Sequence, residues 1–260
     1  MTIQQFVDDL TVWMVGSPFE RTVDTIKCGD SSQELRGVAC TFMATRGVLD
    51  RAAALGANLV ITHEPSFYNH LDETDWLAGD QAYQAKRDFL EAQGMVLWRV
   101  HDYLHRMEPD GINLGVTQAL GWPAPEGRAV LLEKPVTLAA LAAEIKSSLG
   151  ILTLKFAGPP EMSVRRIGLR LGSPGGRSQI EMLQQAEIDV VVCGESPEWE
   201  ACEYVRDSVA AGVPKGLLVL GHAHSEEAGM AWLADRINER GLSPGVVATH
   251  LPAGDPFLFL

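Results

Sequence analysis

Apolar and polar residues follow one another along this chain in blocks that are typical of an α/β protein. Short apolar runs at residues 38–42, 59–62 and 95–100 predict buried parallel strands. Segments with apolar residues at helical spacing predict helices over residues 2–14, 44–55, 80–93, 112–120 and 138–149. The polar segment 66–79 is predicted to form a loop with the character of a lid. This alternation of strands and helices predicts an α/β fold.

The second half of the chain repeats the pattern of the first. A shift of 131 positions places residues 37–64 on residues 168–195 without a gap, and it aligns a strand, a helix, a second strand and a final Glu. A second match, with a slightly different shift, aligns Gly94-Met-Val-Leu before His101 with Gly216-Leu-Leu-Val before His222. The two matches predict two similar, interlinked α/β lobes related by an internal repeat. Their boundary is placed at the proline-rich segment that ends near residue 126, which gives lobes of residues 1–126 and 127–260.

Three of the predicted strands end in His or Glu side chains. The residues at these ends are His63 and Glu64, His101 and His105, and His222 and Glu226. A helix is predicted to begin at Ser225, with the serine hydroxyl as its N-cap. Open α/β sheets place their sites at the carboxyl ends of strands, and i, i+4 spacing brings two side chains to one face of a helical turn. Taken singly, each pair is equally well a structural His beside a solvated Glu, two surface histidines, or a carboxylate in a first helical turn. Taken together, they predict that the segments meet at a metal site between the lobes.

The ligand types narrow the choice of metal. Imidazole and carboxylate favour a divalent transition metal such as Zn, Fe or Mn over Mg or Ca. Six ligands are more than one tetrahedral site uses, which predicts two metals bridged by a carboxylate. Glu64 and His224 are the candidate general bases. His70 and His250 are predicted not to bind metal, and neither is His224, which is the best candidate to face a substrate.

Composition and charge argue against two classes of binding partner, nucleic acids and membranes. The net charge of −13 argues against nucleic acid, because phosphate binding depends on clustered Lys and Arg. No apolar run approaches the roughly 20 residues that cross a bilayer, and the N-terminal segment lacks the features of a signal peptide, so no membrane partner and a cytoplasmic location are expected. The four cysteines show no CxxC spacing, and Cys40 and Cys193 are expected to be small core hydrophobes.

The motifs resemble the Nif-three-like family of dinuclear metal-centre proteins, some of which are called GTP cyclohydrolase I type 2 homologues. The resemblance covers nearly the whole chain and rests on ITHEP (61–65), HDYLH followed by DGIN (101–113), GSPGG (172–176), Gly194-Glu195, GHAHSEE (221–227) and Asp255-Pro-Phe257. It implies the short form of the family, with two similar α/β lobes and no inserted domain. It also implies a toroidal homo-hexamer in which paired metals face an internal cavity that takes a small-molecule substrate.

The family's metal motif matches this chain at four positions, which are His63, His101, His222 and Glu226. Two positions depart from it. The family usually has a second His where this chain has Glu64, and an Asp that often bridges the metals where it has His105. The two changes compensate in ligand number and nearly in charge, which favours an altered cluster. In that cluster Glu64 or Glu226 bridges the metals, or a single metal is bound.

These features lead to three functional hypotheses. The first is a metal-dependent hydrolase that acts on a small heterocyclic or phosphoester substrate through a metal-activated water. The second is a non-catalytic metal-binding or regulatory protein that acts through its oligomeric surface. The third is nucleotide binding at residues 172–176, but this segment lacks the GxGxxG and GxxxxGK patterns and is better interpreted as a plain turn.

Overall fold

The computed structural model describes residues 1–241 and 244–259, which fold into two compact units. The first unit comprises Met1–Gly111 and the described residues of Met230–Ala253, and the second comprises Ile112–Gly229 and the described residues from Gly254 onward. Residues 230–253, which lie beyond the predicted lobe boundary, are thus packed in the first unit. The boundary at residue 126 stays a prediction.

Strands and helices alternate along much of the described chain. The strands are β1 (Ile26–Cys28), β2 (Val38–Thr41), β3 (Leu59–Thr62), β4 (Val96–Arg99), β5 (Ala129–Thr137), β6 (Lys155–Ala157), β7 (Ser163–Arg170), β8 (Val190–Cys193), β9 (Gly216–Val219) and β10 (Ala248–His250). The helices are α1 (Ile3–Val15), α2 (Arg46–Ala54), α3 (Gln81–Ala92), α4 (Asp102–Arg106), α5 (Gly111–Ala119), α6 (Leu138–Ser148), α7 (Gly176–Leu183), α8 (Glu203–Ala210) and α9 (His222–Arg240). Short 3-10 and π-helical turns are also present at Asp75–Leu77 and Glu198–Cys202.

The first unit is built on a five-stranded sheet in the order β1-β4-β3-β2-β10. Strand β1 is antiparallel to β4, and the other neighbours are parallel. Every residue of β2, β3 and β4 is buried, as expected for parallel strands that are covered on both faces. Helix α2 contributes Val48, Leu49 and Ala52 to the apolar core beneath them.

The second unit is built on a sheet in the order β5-β7-β8-β9-β6. Its three central strands, β7, β8 and β9, are parallel, and the two edge strands are antiparallel to their neighbours. Strand β8 is buried at all four residues, and Met182 and Leu183 of α7 pack in the core beside it.

The two units share an arrangement of three parallel strands with an antiparallel strand beside the third. The 131-residue shift carries Leu59–Thr62 onto Val190–Cys193, which are the observed bounds of β3 and β8. The predicted α/β fold with two similar lobes is therefore confirmed. Most of the predicted helices in the first half differ from the observed ones by only one or two residues at each end.

The strand registers correct the alignment of the second sequence match between the two halves. Gly216 pairs with the first residue of β8 as Val96 pairs with the first residue of β3, so Gly216 corresponds to Val96 rather than to Gly94. His222 therefore lies six positions after its strand start and His101 lies five positions after its own. The two histidines thus leave their sheets through connections of different length.

Two further expectations concern the start of the last helix and the burial of two cysteines. Helix α9 was expected to begin at Ser225 with its hydroxyl as N-cap, which is wrong, because the helix begins at His222 and the Ser225 backbone N–H donates to Gly221 O at 3.1 Å. Cys40 and Cys193 are fully buried free thiols, as predicted. Burial raises the pKa of both.

None of the helices that the structure describes has the length and apolar character required to cross a membrane.

The segment 66–79 forms the predicted loop, and Asp72 holds its start in place. The Asp72 carboxylate accepts hydrogen bonds from the backbone N–H groups of Ser66 at 2.7 Å and Phe67 at 2.9 Å. It also lies 3.3 Å from Lys27 Nζ. These contacts fix the first half of the loop, and its function as a lid stays a prediction.

Candidate metal centre

Three imidazole rings converge where β3 and β4 end in the first unit. His63 directly follows β3, His101 directly precedes α4, and His105 lies in the last turn of that helix. One ring nitrogen of each residue lies within 4.8 Å of the corresponding nitrogens of the other two. The ring centroids are 4.8 to 5.1 Å apart. Three imidazoles at this spacing could hold one divalent cation.

Each of the three rings is oriented by a hydrogen bond through Nδ1. The acceptors are Val100 O for His63 at 2.9 Å, Asp102 Oδ1 for His101 at 3.0 Å, and Asp110 Oδ2 for His105 at 3.0 Å. A carbonyl or carboxylate oxygen can only accept, so Nδ1 carries the proton and Nε2 carries the lone pair of the neutral ring. This is how metal-binding histidines are usually held.

The pKa of His101 also suits a metal ligand. Burial lowers it to about 4, with a further contribution from the neighbouring His63 and His105. The carboxylates of Asp102 and Glu64 oppose this shift but do not overcome it. His101 is therefore neutral near pH 7, which is the protonation state that a metal requires.

Asp24 positions the segment that carries two of these rings. Its buried carboxylate accepts hydrogen bonds from the backbone N–H groups of His101 at 2.8 Å, Asp102 at 2.9 Å and Tyr103 at 2.7 Å. These are donors at the start of α4, which the helix itself cannot satisfy. Burial raises the pKa of Asp24, while the three hydrogen bonds act in the opposite direction. Sequence analysis missed this residue, because it lies in a turn and belongs to no motif.

Glu64 lies at the edge of the imidazole group, beside a buried arginine. Its Oε1 is 3.9 Å from His101 Nε2, and its Oε2 is 3.8 Å from Arg99 Nη2. The Arg99 side chain is fully buried, and its Nε donates to His63 O at 3.1 Å. Its second carboxylate neighbour is Asp72, at 3.6 Å. The guanidinium thus fixes both the backbone of one candidate ligand and the carboxylate of another.

In the second unit, His222 lies between two carboxylates. Its Nδ1 is 2.9 Å from Glu195 Oε1, and its Nε2 is 3.2 Å from Glu226 Oε2. Glu226 is almost completely buried. Glu195, two residues after β8, is the residue that the internal repeat aligns with Glu64, and it orients the His222 ring as Asp102 orients His101.

Two glycines and a serine bring the His222–Glu226 pair close to the neighbouring turns. A Cβ on Gly172, which has a φ of +70°, would lie 2.3 Å from Glu226 Oε1, and one on Gly194 would lie 2.5 Å from Ser225 Oγ. The Ser225 hydroxyl accepts from Gly172 N–H at 3.0 Å and donates to His222 O at 2.8 Å. The turn at 172–176 therefore begins against a buried carboxylate, an arrangement that favours a positioning function over phosphate binding.

The remaining histidines have separate surroundings. His224 Nε2 is 3.2 Å from Asp255 Oδ2 in the second unit, and both side chains are partly exposed. The His70 ring centroid is 5.9 Å from that of His101 in the first unit. His250 lies at the end of β10.

The six predicted ligands are distributed over both units. His63, Glu64, His101 and His105 belong to the first unit, and His222 and Glu226 belong to the second. Within each unit the structure brings the predicted residues together. Their assignment as metal ligands and that of Glu64 and His224 as general bases stay predictions.

The fold and the imidazole group define an α/β protein with a candidate metal centre at its strand ends. A sequence model of the family described as Duf34/NIF3 (NGG1p interacting factor 3) matches residues 24–250. The chain belongs to the DUF34/NIF3 family, which confirms the resemblance in its motifs.

Individual relatives agree with this membership. A protein of Clostridium perfringens named "GTP cyclohydrolase 1 type 2 homolog" is 24% identical over 247 residues, and the match covers 89% of each chain. The crystal structure of a Staphylococcus aureus hypothetical protein has a TM-score of 0.81 at 20% identity and covers 100% of this chain and 99% of its own. A Bacillus cereus protein related to NIF3 has a TM-score of 0.79 at 16% identity, with the same coverage. At these identities the solved structures establish the fold alone.

Proposed function

We propose that this protein binds a divalent transition metal through His63, His101 and His105 and uses it to hydrolyse a small heterocyclic or phosphoester substrate. The observation that carries the proposal is the group of three ring nitrogens within 4.8 Å of one another. Each ring is held by an Nδ1 hydrogen bond, which turns the other nitrogen into the ligand. A surface cluster of histidines would have no need of this orientation.

The proposal extends to a second metal with His222 and Glu226 among its ligands. Donor atoms in one tetrahedral zinc site lie roughly 3 to 3.5 Å apart, given metal–ligand distances of about 2.0 to 2.1 Å. His222 Nε2 and Glu226 Oε2 are 3.2 Å apart, which fits two donors to one cation. Zn, Fe and Mn all match this ligand set.

The metal, when bound, would supply a Lewis acid that lowers the pKa of a coordinated water and polarises the substrate. Two residues of the chain are proposed as general bases. His224 has Nε2 beside Asp255 Oδ2 at 3.2 Å, so the carboxylate accepts from Nε2–H and Nδ1 is the atom that would take up a proton. The Glu64 carboxylate is the second candidate, and Arg99 holds it at the edge of the imidazole group.

Other parts of the proposal rest on family resemblance. The name of the Clostridium relatives favours hydrolysis of a heterocycle such as that of GTP. A toroidal homo-hexamer, a substrate cavity inside it and a cytoplasmic location are proposed on the same basis. The alternative function, a non-catalytic metal-binding or regulatory protein, uses the same ligands without turnover.

The test combines metal content with activity. Elemental analysis of the purified protein should show at least one transition metal per chain, and His101→Ala should lose it while His250→Ala keeps it. Hydrolysis of GTP, cyclic amides and phosphodiesters is then measured before and after chelation. Turnover that chelation abolishes supports the hydrolase. Stoichiometric metal without turnover on any class favours the non-catalytic alternative, and a protein that binds no metal contradicts both.

A further inference from the structure

A second candidate site lies in the first unit, at a cavity of about 370 Å³ between the start of the loop 66–79 and helices α2 and α3. Its lining includes the basic residues Arg46 and Lys86 and the hydroxyl-bearing residues Ser66 and Tyr68. The rest is mainly apolar, and the described residues that line it include neither an acidic side chain nor a predicted metal ligand. Basic residues around a cavity are notable in a chain with a net charge of −13.

Lys86 is the unusual group in this lining. The residue is only 7% exposed, and its Nζ donates to Ser66 O at 2.6 Å. The described residues offer it no carboxylate within ion-pair distance, and its nearest aromatic neighbours are the rings of Phe67 and Tyr68, with centroids 5.6 and 5.7 Å away. Burial lowers the pKa of Lys86 to about 8, although the negative charge of Asp72, which lies beyond ion-pair distance, acts in the opposite direction, so the ammonium form still predominates at pH 7. A buried cation without a close anion is costly.

Lys215 in the second unit is buried to the same extent as Lys86 but has more hydrogen-bond acceptors. Lys215 is also 7% exposed, but its Nζ donates to two backbone carbonyls, Gln185 O and Ile188 O. An ammonium has three N–H donors. Lys86 uses one of them on a carbonyl of the described chain, which leaves it well suited to an added acceptor.

The loop next to Lys86 has two further features of a binding site. Ser66 Oγ is buried and has no hydrogen-bond partner among residues 1–241 and 244–259. Tyr68 has a φ of 67°, a left-handed conformation that is strained for any residue with a Cβ. Such strain persists only where the surroundings impose it. The two residues before Tyr68 are held by Asp72, which accepts from Ser66 N–H and Phe67 N–H. The exposed Tyr68 ring thus lies at the cavity beside two groups that can form further hydrogen bonds, Lys86 Nζ and Ser66 Oγ.

We propose that this cavity binds a small monocarboxylate with an apolar body. The carboxylate would accept hydrogen bonds from Lys86 Nζ and Ser66 Oγ, and the apolar body would lie against Met43, Ala82 and Ala85. A volume of about 370 Å³ suits a ligand of this size. A cationic ligand would be repelled by Lys86 and Arg46, and a neutral one would leave the buried ammonium with only the more distant Asp72 carboxylate as a counter-charge.

The test uses hexanoate as the probe, with hexan-1-ol and hexylammonium as matched ligands of the same chain length. Ligand-observed NMR and calorimetry on the full chain at pH 7 should show saturable hexanoate binding that is at least about tenfold tighter than that of either matched ligand. This comparison needs no substitution, so it remains decisive if a variant fails to fold. Equal binding of hexanoate and hexan-1-ol, or no saturable binding of hexanoate, would overturn the proposal.

Variants locate the site. Lys86→Met removes the charge at nearly constant volume and should weaken hexanoate binding about tenfold or more. Ser66→Ala should weaken it a few-fold. Lys146→Met, a change at an exposed lysine of α6, should leave it unchanged. Circular dichroism and thermal unfolding confirm that each variant is folded, and unchanged affinity in a folded Lys86→Met protein would overturn the assignment.

Discussion

The strand ends of the two sheets have the same position in a repeated fold but different chemistry. In the first unit three imidazoles lie together, with Nδ1 of each ring hydrogen-bonded to an oxygen. In the second unit one imidazole, that of His222, lies between the carboxylates of Glu195 and Glu226. Neutral imidazole rings can lie close together without charge repulsion, whereas two neighbouring carboxylates repel each other unless a hydrogen-bond donor lies between them. The repeat thus places candidate ligands at the corresponding strand ends of both units, but their charges differ.

The two units also differ in how they hold the backbone at the site. Asp24 accepts three backbone N–H groups at the start of α4 in the first unit. In the second unit a single hydroxyl, that of Ser225, accepts one hydrogen bond and donates another, and glycines permit the close approach. The first site is thus held by one buried charge and the second by close packing, so substitutions should affect them unequally.

The largest effect is expected for Asp24→Ala. Three buried N–H groups would lose their acceptor, which should lower the free energy of unfolding by about 3 kcal/mol or more. Metal content should fall as well, because His101 and His105 follow the displaced turn. Urea unfolding and elemental analysis measure the two effects. The control is Asp88→Ala, at an exposed position of α3. If Asp24→Ala lowers stability and metal content no more than Asp88→Ala does, the Asp24 carboxylate does not organise the site.

His222→Ala tests whether the carboxylate-rich site binds metal as the imidazole-rich one does. The variant should remain folded and lose most bound metal, with affinity reduced beyond the roughly 10- to 100-fold typical of changing a hydrogen-bond partner of a ligand. Metal titration of this variant beside His63→Ala compares the two units directly. Full metal occupancy in folded His222→Ala protein would rule out that residue as a ligand.

Gly172→Ala tests the packing of the second site against a matched control. Both Gly172 and Gly175 have positive φ, at +70° and +82°, but a Cβ at Gly175 would meet no atom within 4 Å. Gly175→Ala should therefore cost about 1 to 3 kcal/mol of unfolding free energy for backbone strain alone. Gly172→Ala should cost more and should weaken metal binding through Glu226, as thermal unfolding and metal titration would reveal. Equal effects of the two changes would mean that Glu226 moves aside freely.

The smallest effect is expected for His105→Asp, which restores the residue that the family usually has there. Asp can replace imidazole as a ligand, so the variant should keep its metal in a competition assay with a chromogenic chelator. Complete loss would mean that the first site has been rebuilt around imidazole and that the contact of His105 with Asp110 is essential to it.

The sequence predicted the parts of the molecule that depend on local pattern. The buried apolar run of β3 and the 131-residue shift to β8 located two strand ends, and the i, i+4 spacings located the side chains that follow β4 and β9. Asp24 could not be found in this way, because it contacts a residue 77 positions later and has no motif of its own. Arg99, by contrast, could have been identified from the sequence. It is a charged residue inside the apolar run 95–100, and a charge in a buried strand requires a partner.

The pairing of β10 with β2 has a consequence for how the chain is made. Residues 248–250 lie beside residues 38–40, so the first sheet acquires β10 only after every strand of the second sheet has been synthesised. Growing chains emerge from the ribosome N-terminus first, at about 5 to 20 residues per second. At that rate β2 remains without β10 for roughly ten seconds or more, and all five strands of the other sheet are synthesised within this interval.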